Sequence, residues 1–251
     1  MRQTIIAGNW KMHNDRAAAK ELVSGLQDVL AQVGDNREVI LCPPYTDLET
    51  ATTLISKLAH VSVYAQNMFY EEKGAFTGEI APSMLRELGV KGSIIGHSER
   101  RGYFGETNLD TNKKIKTALG HKLRPILCIG ENEDQRVNGV MKPWIQMQIL
   151  EGLQGLSGED VASIVIAYEP LWAIGTGRTA TVEQAQEVCQ YIRQVLADAY
   201  SKEIADKTPI LYGGSVKAAN AKDILQQADI DGVLVGGASL KVDEFSQIIK
   251  A

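Results

Sequence analysis

The chain has 251 residues, of which 44% are hydrophobic and 23% are charged, and its formal net charge is −5. This length and composition allow one sizeable buried core. The negative charge does not favour binding to nucleic acids or anionic membranes, which requires a basic surface. The three cysteines, at positions 42, 128 and 189, are widely separated, as is typical of a cytoplasmic protein without a disulfide framework. We also expect neither a signal peptide nor a membrane span.

Short β-branched or apolar runs recur along the whole chain, and each predicts a strand. Several of these runs lack the alternation of polar and apolar residues that is typical of a strand with one solvent-exposed face. We therefore expect a parallel sheet that is covered on both sides. The eight predicted strands are Thr4–Ala7, Val39–Cys42, Val61–Ala65, Ser93–Gly96, Pro125–Ile129, Ser163–Tyr168, Pro209–Tyr212 and Gly232–Val235.

Helical patterns occupy the gaps between these strands. An apolar stripe spans residues 18–30, and Pro82 and Gly89 bracket a short helix. Thr181-x-x-Gln184 predicts a capping box, and residues 144–156 are a further helix candidate. Eight strand–helix units indicate either a closed barrel or an open doubly wound sheet. The length favours a single α/β domain over residues 1–251, a (β/α)8 barrel.

One long polar stretch, Gln66–Ile80, has no clear period. Loops of this length in compact domains tend to be functional or to serve an interface.

In a (β/α)8 barrel the active site lies at the C-terminal ends of the strands. A carboxylate, an imidazole, an ammonium group and two glycine-rich turns follow the predicted strands and therefore converge on one rim. These rim residues are Asn9, Lys11, His97, Ser98, Glu99, Glu169, Gly213, Gly214, Ser215, Gly236, Gly237 and Ser239.

Three of these side chains are candidates for proton-transfer chemistry. Glu169 directly follows an apolar strand, where a partly buried carboxylate is suited to act as a base; a rim carboxylate paired with an arginine is the alternative. His97 opens a helix, whose positive end disfavours imidazolium and keeps the ring neutral, although a purely structural cap would look the same. Lys11 could neutralise an oxyanion or a phosphate, or it could simply be solvated.

The glycine pairs after strands seven and eight indicate a phosphate site, because backbone N–H groups in such turns bind dianions. Ordinary turns between strand and helix also favour glycine, so this interpretation has an alternative. The segment Pro170–Ala180 combines apolar contacts from Trp172 and Ile174 with glycines that allow hinge motion. We interpret it as a lid, and a long surface loop is the alternative.

The sequence resembles the triosephosphate isomerase family over its whole length. The matching segments are Asn9-Trp10-Lys11, Ala65-Gln66-Asn67, Gly74-Ala75-Phe76-Thr77-Gly78-Glu79, Ile94-Ile95-Gly96-His97-Ser98-Glu99-Arg100-Arg101, Ala167-Tyr168-Glu169-Pro170-Leu171-Trp172-Ala173-Ile174-Gly175-Thr176-Gly177, Tyr212-Gly213-Gly214-Ser215 and Gly236-Gly237-Ala238-Ser239-Leu240.

The resemblance implies a TIM barrel that interconverts dihydroxyacetone phosphate and glyceraldehyde 3-phosphate, with no metal or organic cofactor. By resemblance Glu169 is the base, neutral His97 polarises the carbonyl, and Lys11, beside Asn9, stabilises the enediolate. This division of roles is known for the family, which is a standard example of a neutral histidine acting as electrophile. The resemblance also implies that Glu99 pairs with Lys11 or supports His97, and that Ser98 holds Glu169 when the lid is open. The phosphate would be held by the N–H groups of Gly175, Ser215, Gly236 and Gly237.

Family members are usually homodimers, so the resemblance implies that Gln66–Ile80 enters a partner subunit, with Thr77 near its site. It implies a packing role for Cys128. Leu171 and Arg178 depart from the commoner valine and lysine of the family, and so does the run Thr107-Asn108-Leu109. The departures in the lid leave its kinetics open and remove no catalytic group.

Two other classes of function are weighed against this one. Another phosphate-binding barrel isomerase or lyase is the first, but an aldolase of the Schiff-base type would need a lysine within a strand, and the predicted strands contain none. A non-catalytic barrel scaffold is the second. Such a scaffold would be expected to lose Glu169, His97 or Lys11, and all three are present.

Overall fold

Eight parallel strands close on themselves in a computed structural model that describes residues 2–174 and 178–251. Each strand pairs with its neighbours in the chain, and the last strand pairs with the first. The strands are β1 Thr4–Asn9, β2 Arg37–Cys42, β3 Val61–Ala65, β4 Gly92–Ile95, β5 Arg124–Ile129, β6 Val165–Tyr168, β7 Ile210–Tyr212 and β8 Gly232–Val235. The predicted (β/α)8 barrel is therefore confirmed.

Helices connect consecutive strands, and several connections contain more than one. The α-helices in the described ranges are α1 Arg16–Leu30, α2 Leu48–Ile55, α3 Pro82–Glu87, α4 Ser98–Phe104, α5 Asn108–Gly120, α6 Glu133–Val137, α7 Met141–Gly152, α8 Gly158–Ser163, α9 Val182–Ala199, α10 Lys202–Lys207, α11 Ala218–Leu225 and α12 Val242–Lys250. Short 3-10 helices at Tyr45–Asp47, Leu171–Ala173 and Gly237–Leu240 lie at the C-terminal rim of the barrel.

The sequence patterns located most of these elements. Pro82 opens α3, and the Thr181–Gln184 capping box opens α9. The predicted helix over residues 144–156 is wrong at both ends, because α7 begins at Met141 and ends at Gly152. The chain then turns at Gly155, whose φ of 76° is incompatible with a continued helix. Asn9, expected just after the first strand, is the last residue of β1.

Two apolar layers cover the strands, one on each face. Successive side chains of a strand point to opposite faces, so alternate residues fill the barrel interior and the others pack against the helices. The interior layer consists of Ile5, Ala7, Ile40, Cys42, Tyr64, Ile94, Ile126, Cys128, Val165, Ala167, Leu211 and Leu234. Few polar side chains consequently lie within the strands, and the candidate site residues lie at or just beyond their C-terminal ends.

None of the helices within residues 2–174 and 178–251 is long and apolar enough to cross a membrane.

A buried charge network ties α9 to the N-terminal ends of β7 and β8, opposite the candidate site. Arg193 is 8% exposed and donates hydrogen bonds to Asp229 (2.8 Å) and Asp231 (2.7 Å). Asp231 also accepts the backbone N–H of Ile210, the first residue of β7. Removing one partner from a buried ion network leaves the remaining charges desolvated and unpaired, which is strongly destabilising.

We expect Arg193→Met to lower the free energy of unfolding by about 3–5 kcal/mol, with little effect on the chemistry at the other end of the barrel. Denaturant unfolding of both proteins measures the loss. Lys202→Met is the control, because Lys202 pairs with Asp206 on the exposed surface of α10 and should contribute little. Equal stability of the Arg193 variant and the wild type would contradict the structural role of the network.

Candidate active site

Glu169 follows β6 and is only 2% exposed. Its backbone N–H donates to the carbonyl of Ile129 on β5 (2.8 Å), which fixes the residue at the rim. Its carboxylate accepts hydrogen bonds from the hydroxyl (2.8 Å) and the backbone N–H (2.9 Å) of Ser98, and His97 Nε2 lies 3.1 Å from Oε1. The sequence left open that Glu169 is a carboxylate paired with an arginine. No arginine among the described residues forms an ion pair with Glu169.

The ring of His97 is held in one tautomer. His97 caps the N-terminus of α4, and its Nδ1 accepts the backbone N–H of Glu99 at 3.2 Å. Because a backbone N–H is always a donor, Nδ1 carries no hydrogen and the neutral ring has its hydrogen on Nε2. The cap predicted from the sequence is thus present, and it directs the donor nitrogen of the ring at Glu169.

Lys11 adopts a left-handed backbone conformation, with φ of 52°, which is uncommon for a residue other than glycine. Asn9 Oδ1 accepts its backbone N–H (3.0 Å), and Gln66 Nε2 donates to its carbonyl (2.8 Å) and to that of Cys42 (2.8 Å). The ammonium group of Lys11 lies 2.7 Å from Glu99 Oε1. The sequence placed Gln66 at the start of the predicted interface segment and did not indicate that it supports Lys11.

These groups line one open cavity of about 510 Å³, a volume within the range of small-molecule sites. The lining residues include Asn9, Lys11, His97, Glu169, Gly213, Gly214, Ser215, Gly236 and Gly237. Gly175, also predicted to bind phosphate, lies outside the described residues. Ser239 does not line the cavity; its hydroxyl donates to the carbonyl of Gly236 (2.7 Å) and stabilises that turn. Lys217, Lys241 and Glu244 also line the cavity, without any indication from the sequence pattern.

Gly130, one residue beyond β5, lies directly against Glu169. A Cβ atom at Gly130 would be 1.8 Å from the carbonyl oxygen of Glu169 and 2.7 Å from a methyl group of Leu171. Only glycine therefore permits β5 and the chain after β6 to approach this closely.

A buried carboxylate lies behind the site at Glu106, in the turn between α4 and α5. It accepts the backbone N–H of Gly96 (2.8 Å), the residue before His97, and pairs with Arg100 (2.8 Å) and Lys114 (2.7 Å). Burial alone would raise the pKa of Glu106, but the ion pairs and hydrogen bonds with Lys114 and Arg100 hold it below the ordinary value. The carboxylate is therefore ionised at neutral pH.

The start of the predicted lid is fixed by a second buried carboxylate, Glu131. One of its oxygens accepts hydrogen bonds from the Tyr168 hydroxyl (3.0 Å), the Trp172 indole (2.8 Å) and Arg136 (3.0 Å). The Arg136 guanidinium also lies 4.6 Å from the centre of the Trp172 ring. Further along the segment, Arg178 forms an ion pair with Glu133. The sequence did not indicate this role of Glu131.

Cys128 lies in the barrel interior next to the site and is completely buried. Burial, and after it the charge of Glu169, raises the pKa of the Cys128 thiol well above its ordinary value. The group is therefore a thiol in the packed interior, since a nucleophilic cysteine requires the thiolate.

A closed (β/α)8 barrel with a carboxylate, a neutral imidazole, a lysine and two glycine-rich turns around one cavity is the architecture of a barrel enzyme equipped for proton transfer on a small anionic substrate. The model of the family described as triosephosphate isomerase matches residues 4–251. The chain belongs to the triosephosphate isomerase family.

Curated relatives agree with this assignment over their full length. A protein of Carboxydothermus hydrogenoformans named triosephosphate isomerase is 49% identical over 250 residues, which cover 100% of this chain and 99% of the relative. The proteins of that name from Clostridium botulinum and Thermoanaerobacter sp. are 50% and 49% identical, and the alignments cover 99% of both chains in each case.

We expect Glu106→Gln to destabilise the fold in a pH-dependent manner. Because the folded-state pKa of Glu106 is lowered, its contribution is present above the unfolded pKa of about 4.3 and is lost as the pH falls through the folded value. At pH 7 the loss should be about 3–5 kcal/mol, the usual cost of breaking a buried ion pair.

Denaturant unfolding at a series of pH values tests this expectation, with Glu187→Gln on the exposed face of α9 as the control. The difference between wild type and Glu106→Gln should shrink toward acid pH. A difference in unfolding free energy that does not change with pH, or no difference at pH 7, would contradict the ionised state assigned to Glu106.

Proposed function

We propose that this protein is a triosephosphate isomerase that interconverts dihydroxyacetone phosphate and D-glyceraldehyde 3-phosphate through an enediolate, in glycolysis and gluconeogenesis. The observation that supports it most directly is the convergence of Glu169, His97 and Lys11 on the cavity that is also lined by Gly236 and Gly237. The relatives that bear this enzyme's name are similar to the chain over its whole length.

Glu169 is the proposed base that removes the proton from the carbon next to the substrate carbonyl. In the structure its carboxylate is held by two hydrogen bonds from Ser98. Glu169 must give up these hydrogen bonds to reach the substrate C–H. Closure of the lid segment Pro170–Ala180, which begins directly after Glu169, would accompany this movement and exclude water from the cavity.

His97 and Lys11 are proposed to stabilise the negative charge that develops on the substrate oxygens. The hydrogen on His97 Nε2 would be donated to the carbonyl oxygen and then shuttled between the two oxygens of the enediolate. Lys11 supplies a positive charge next to Asn9, and its ion pair with Glu99 places the ammonium group at the cavity wall. Preorganised donors of this kind stabilise transition-state charge without further reorganisation.

The phosphate would bind in the same cavity, to the backbone N–H groups of Ser215, Gly236, Gly237 and, in the lid, Gly175. The first three line the cavity after β7 and β8, the usual position of a phosphate site in such barrels. No metal or organic cofactor takes part in this scheme.

The competing functions have less support. A Schiff-base aldolase needs a lysine within a strand, and none of the eight strands contains one. A non-catalytic scaffold has no use for a buried carboxylate that lies 3.1 Å from a neutral histidine in an open cavity.

We further infer that residues 1–251 form a single domain and that the protein acts in the cytoplasm. The first inference is supported by the closed barrel, which uses strands from both ends of the chain. The second is supported by the three cysteines, which are all buried and free.

A homodimer formed through Gln66–Ile80 is the proposed assembly, with Thr77 near the partner's site. Thr77 and its neighbours from residue 71 to 79 are exposed, and Phe76 within them is a 42% exposed aromatic side chain. Met12 is 94% exposed and Tyr103 81%. They follow β1 and β4, and this segment follows β3, so the exposed apolar side chains belong to the half of the rim formed by β1 to β4. Such clusters commonly mark protein–protein contacts.

The purified protein is expected to interconvert the two triose phosphates without added metal or nucleotide, in a coupled assay in either direction. Glu169→Gln should reduce kcat by about 10²–10⁴-fold, the usual effect of losing a positioned general base. Glu187→Gln, the same change on α9, should leave kcat unaltered. Folded wild-type protein without turnover would refute the function, and an unaffected Glu169 variant would place the base elsewhere.

Light scattering is expected to give twice the chain mass for the wild type, and Phe76→Asp should shift the protein toward monomers because it places a charge in an apolar contact. Leu109→Asp is the control, since Leu109 is 61% exposed on α5, outside the proposed contact segment. A monomeric wild type, or a dimer indifferent to Phe76→Asp, would refute the role of this segment without affecting the proposed chemistry.

A further inference from the structure

Arg101, on α4, connects three elements below the candidate site. Its Nε donates to the carbonyl of Gly96 (2.7 Å), one Nη to the side chain of Asn108 at the start of α5 (2.6 Å), and the other Nη to the carbonyl of Cys128 on β5 (3.2 Å). Each nitrogen of the guanidinium therefore has a separate acceptor. The planar fork of arginine allows this arrangement, and a lysine ammonium does not reproduce it.

Gly96 is held through both of its backbone polar groups. Glu106 accepts its N–H, and Arg101 donates to its C=O. Gly96 itself has a φ of 74°, and a Cβ atom there would lie 2.7 Å from Thr111 and 2.8 Å from Arg101. The backbone at this position has little freedom to relax. Since His97 is the next residue, the direction of its side chain depends on this peptide.

The charge of Arg101 has no carboxylate partner within ion-pair distance in residues 2–174 and 178–251. Burial lowers the pKa of the Arg101 guanidinium below its ordinary value, although the negative charges of Glu106 and Glu169 act in the opposite direction. Arg101 and Glu169 also line a common small cavity of about 210 Å³. The acceptors that Arg101 does have are two backbone carbonyls and one amide oxygen, so its contacts serve geometry more than charge neutralisation.

We propose that Arg101 is a positioning residue for the isomerase reaction, which fixes the Gly96 carbonyl and thereby the placement of His97 against Glu169. This inference rests on the proposed function and adds to it a residue that touches no substrate. A displacement of about 1 Å at a catalytic group is enough to reduce a rate by about 10²-fold. We expect the loss of one guanidinium hydrogen bond to displace His97 by a distance of this order.

Arg101→Lys tests the geometry of the fork at constant charge. We expect kcat to fall by about 10²-fold with KM within about twofold of wild type, because the substrate-binding groups are untouched while the transition-state contact from His97 is displaced. Arg86→Lys is the matched control: Arg86 also donates to a backbone carbonyl, that of Lys122, but on α3 away from the site. A normal kcat in Arg101→Lys refutes the proposal.

A second readout separates positioning from a general loss of structure. With 15N-labelled histidine, and with His97→Gln to assign the resonance, the Nδ1 and Nε2 signals of His97 are expected to shift in Arg101→Lys, while those of His13, His60 and His121 stay in place. Unchanged His97 signals with reduced kcat overturn the proposal, as does a uniform shift of all histidine signals, which indicates global disruption. The wild-type assay separates failure of the proposed function from failure of the proposed role of Arg101. No turnover by the wild type refutes the function itself, whereas equal turnover of wild type and Arg101→Lys refutes only the role of Arg101.

Discussion

The coverage of every barrel strand on both faces is the constraint on which the rest of this molecule depends. Alternate side chains from β1 to β8 fill the interior, and the intervening ones pack under the helices. Polar side chains are disfavoured along such strands, because an unpaired polar group there would be desolvated without compensation. The functional groups therefore lie at the strand ends, and the closure of the barrel brings the ends of β1, β4, β6, β7 and β8 around one cavity.

Burial of Glu169 makes its hydrogen bonds the central interaction of the site. A carboxylate that is 2% exposed needs donors, and Ser98 and His97 supply three contacts within 3.1 Å. The neutral tautomer of His97 follows from the same arrangement, since its Nδ1 is occupied by the N–H of Glu99. The proposed base is thus held in a hydrogen-bonded position, and in the proposed mechanism a substrate must offer comparable contacts to draw it into the cavity.

The sequence predicted those parts of the structure that depend on local patterns. Strand positions follow from short apolar runs, both ends of α3 and the start of α9 follow from capping residues, and Lys11, His97 and Glu169 follow from their places just after strands. The end of α7 was missed because a turn at Gly155 stops the helix before the apolar pattern ends.

The residues that support the site were not predictable in this way, because their partners are distant in the chain. Gln66 contacts Lys11 across 55 positions, Glu131 contacts Trp172 across 41, and Arg101 contacts Cys128 across 27. No periodicity or capping rule relates such pairs. Only the barrel closure, which places successive strand ends side by side, brings them into contact.

The same arrangement supports the segments that carry Lys11 and His97. Lys11 has a left-handed backbone, with its N–H accepted by Asn9 and its C=O bonded by Gln66. Gly96, also left-handed, has its N–H accepted by Glu106 and its C=O bonded by Arg101. For Lys11 this backbone conformation is uncommon, and it persists only where its surroundings determine it from several directions. Here the determinants are side chains that bond both the N–H and the C=O of one residue, so the positions of the ammonium and the imidazole are set before any substrate arrives, as the proposed stabilisation of a transition state by fixed groups requires.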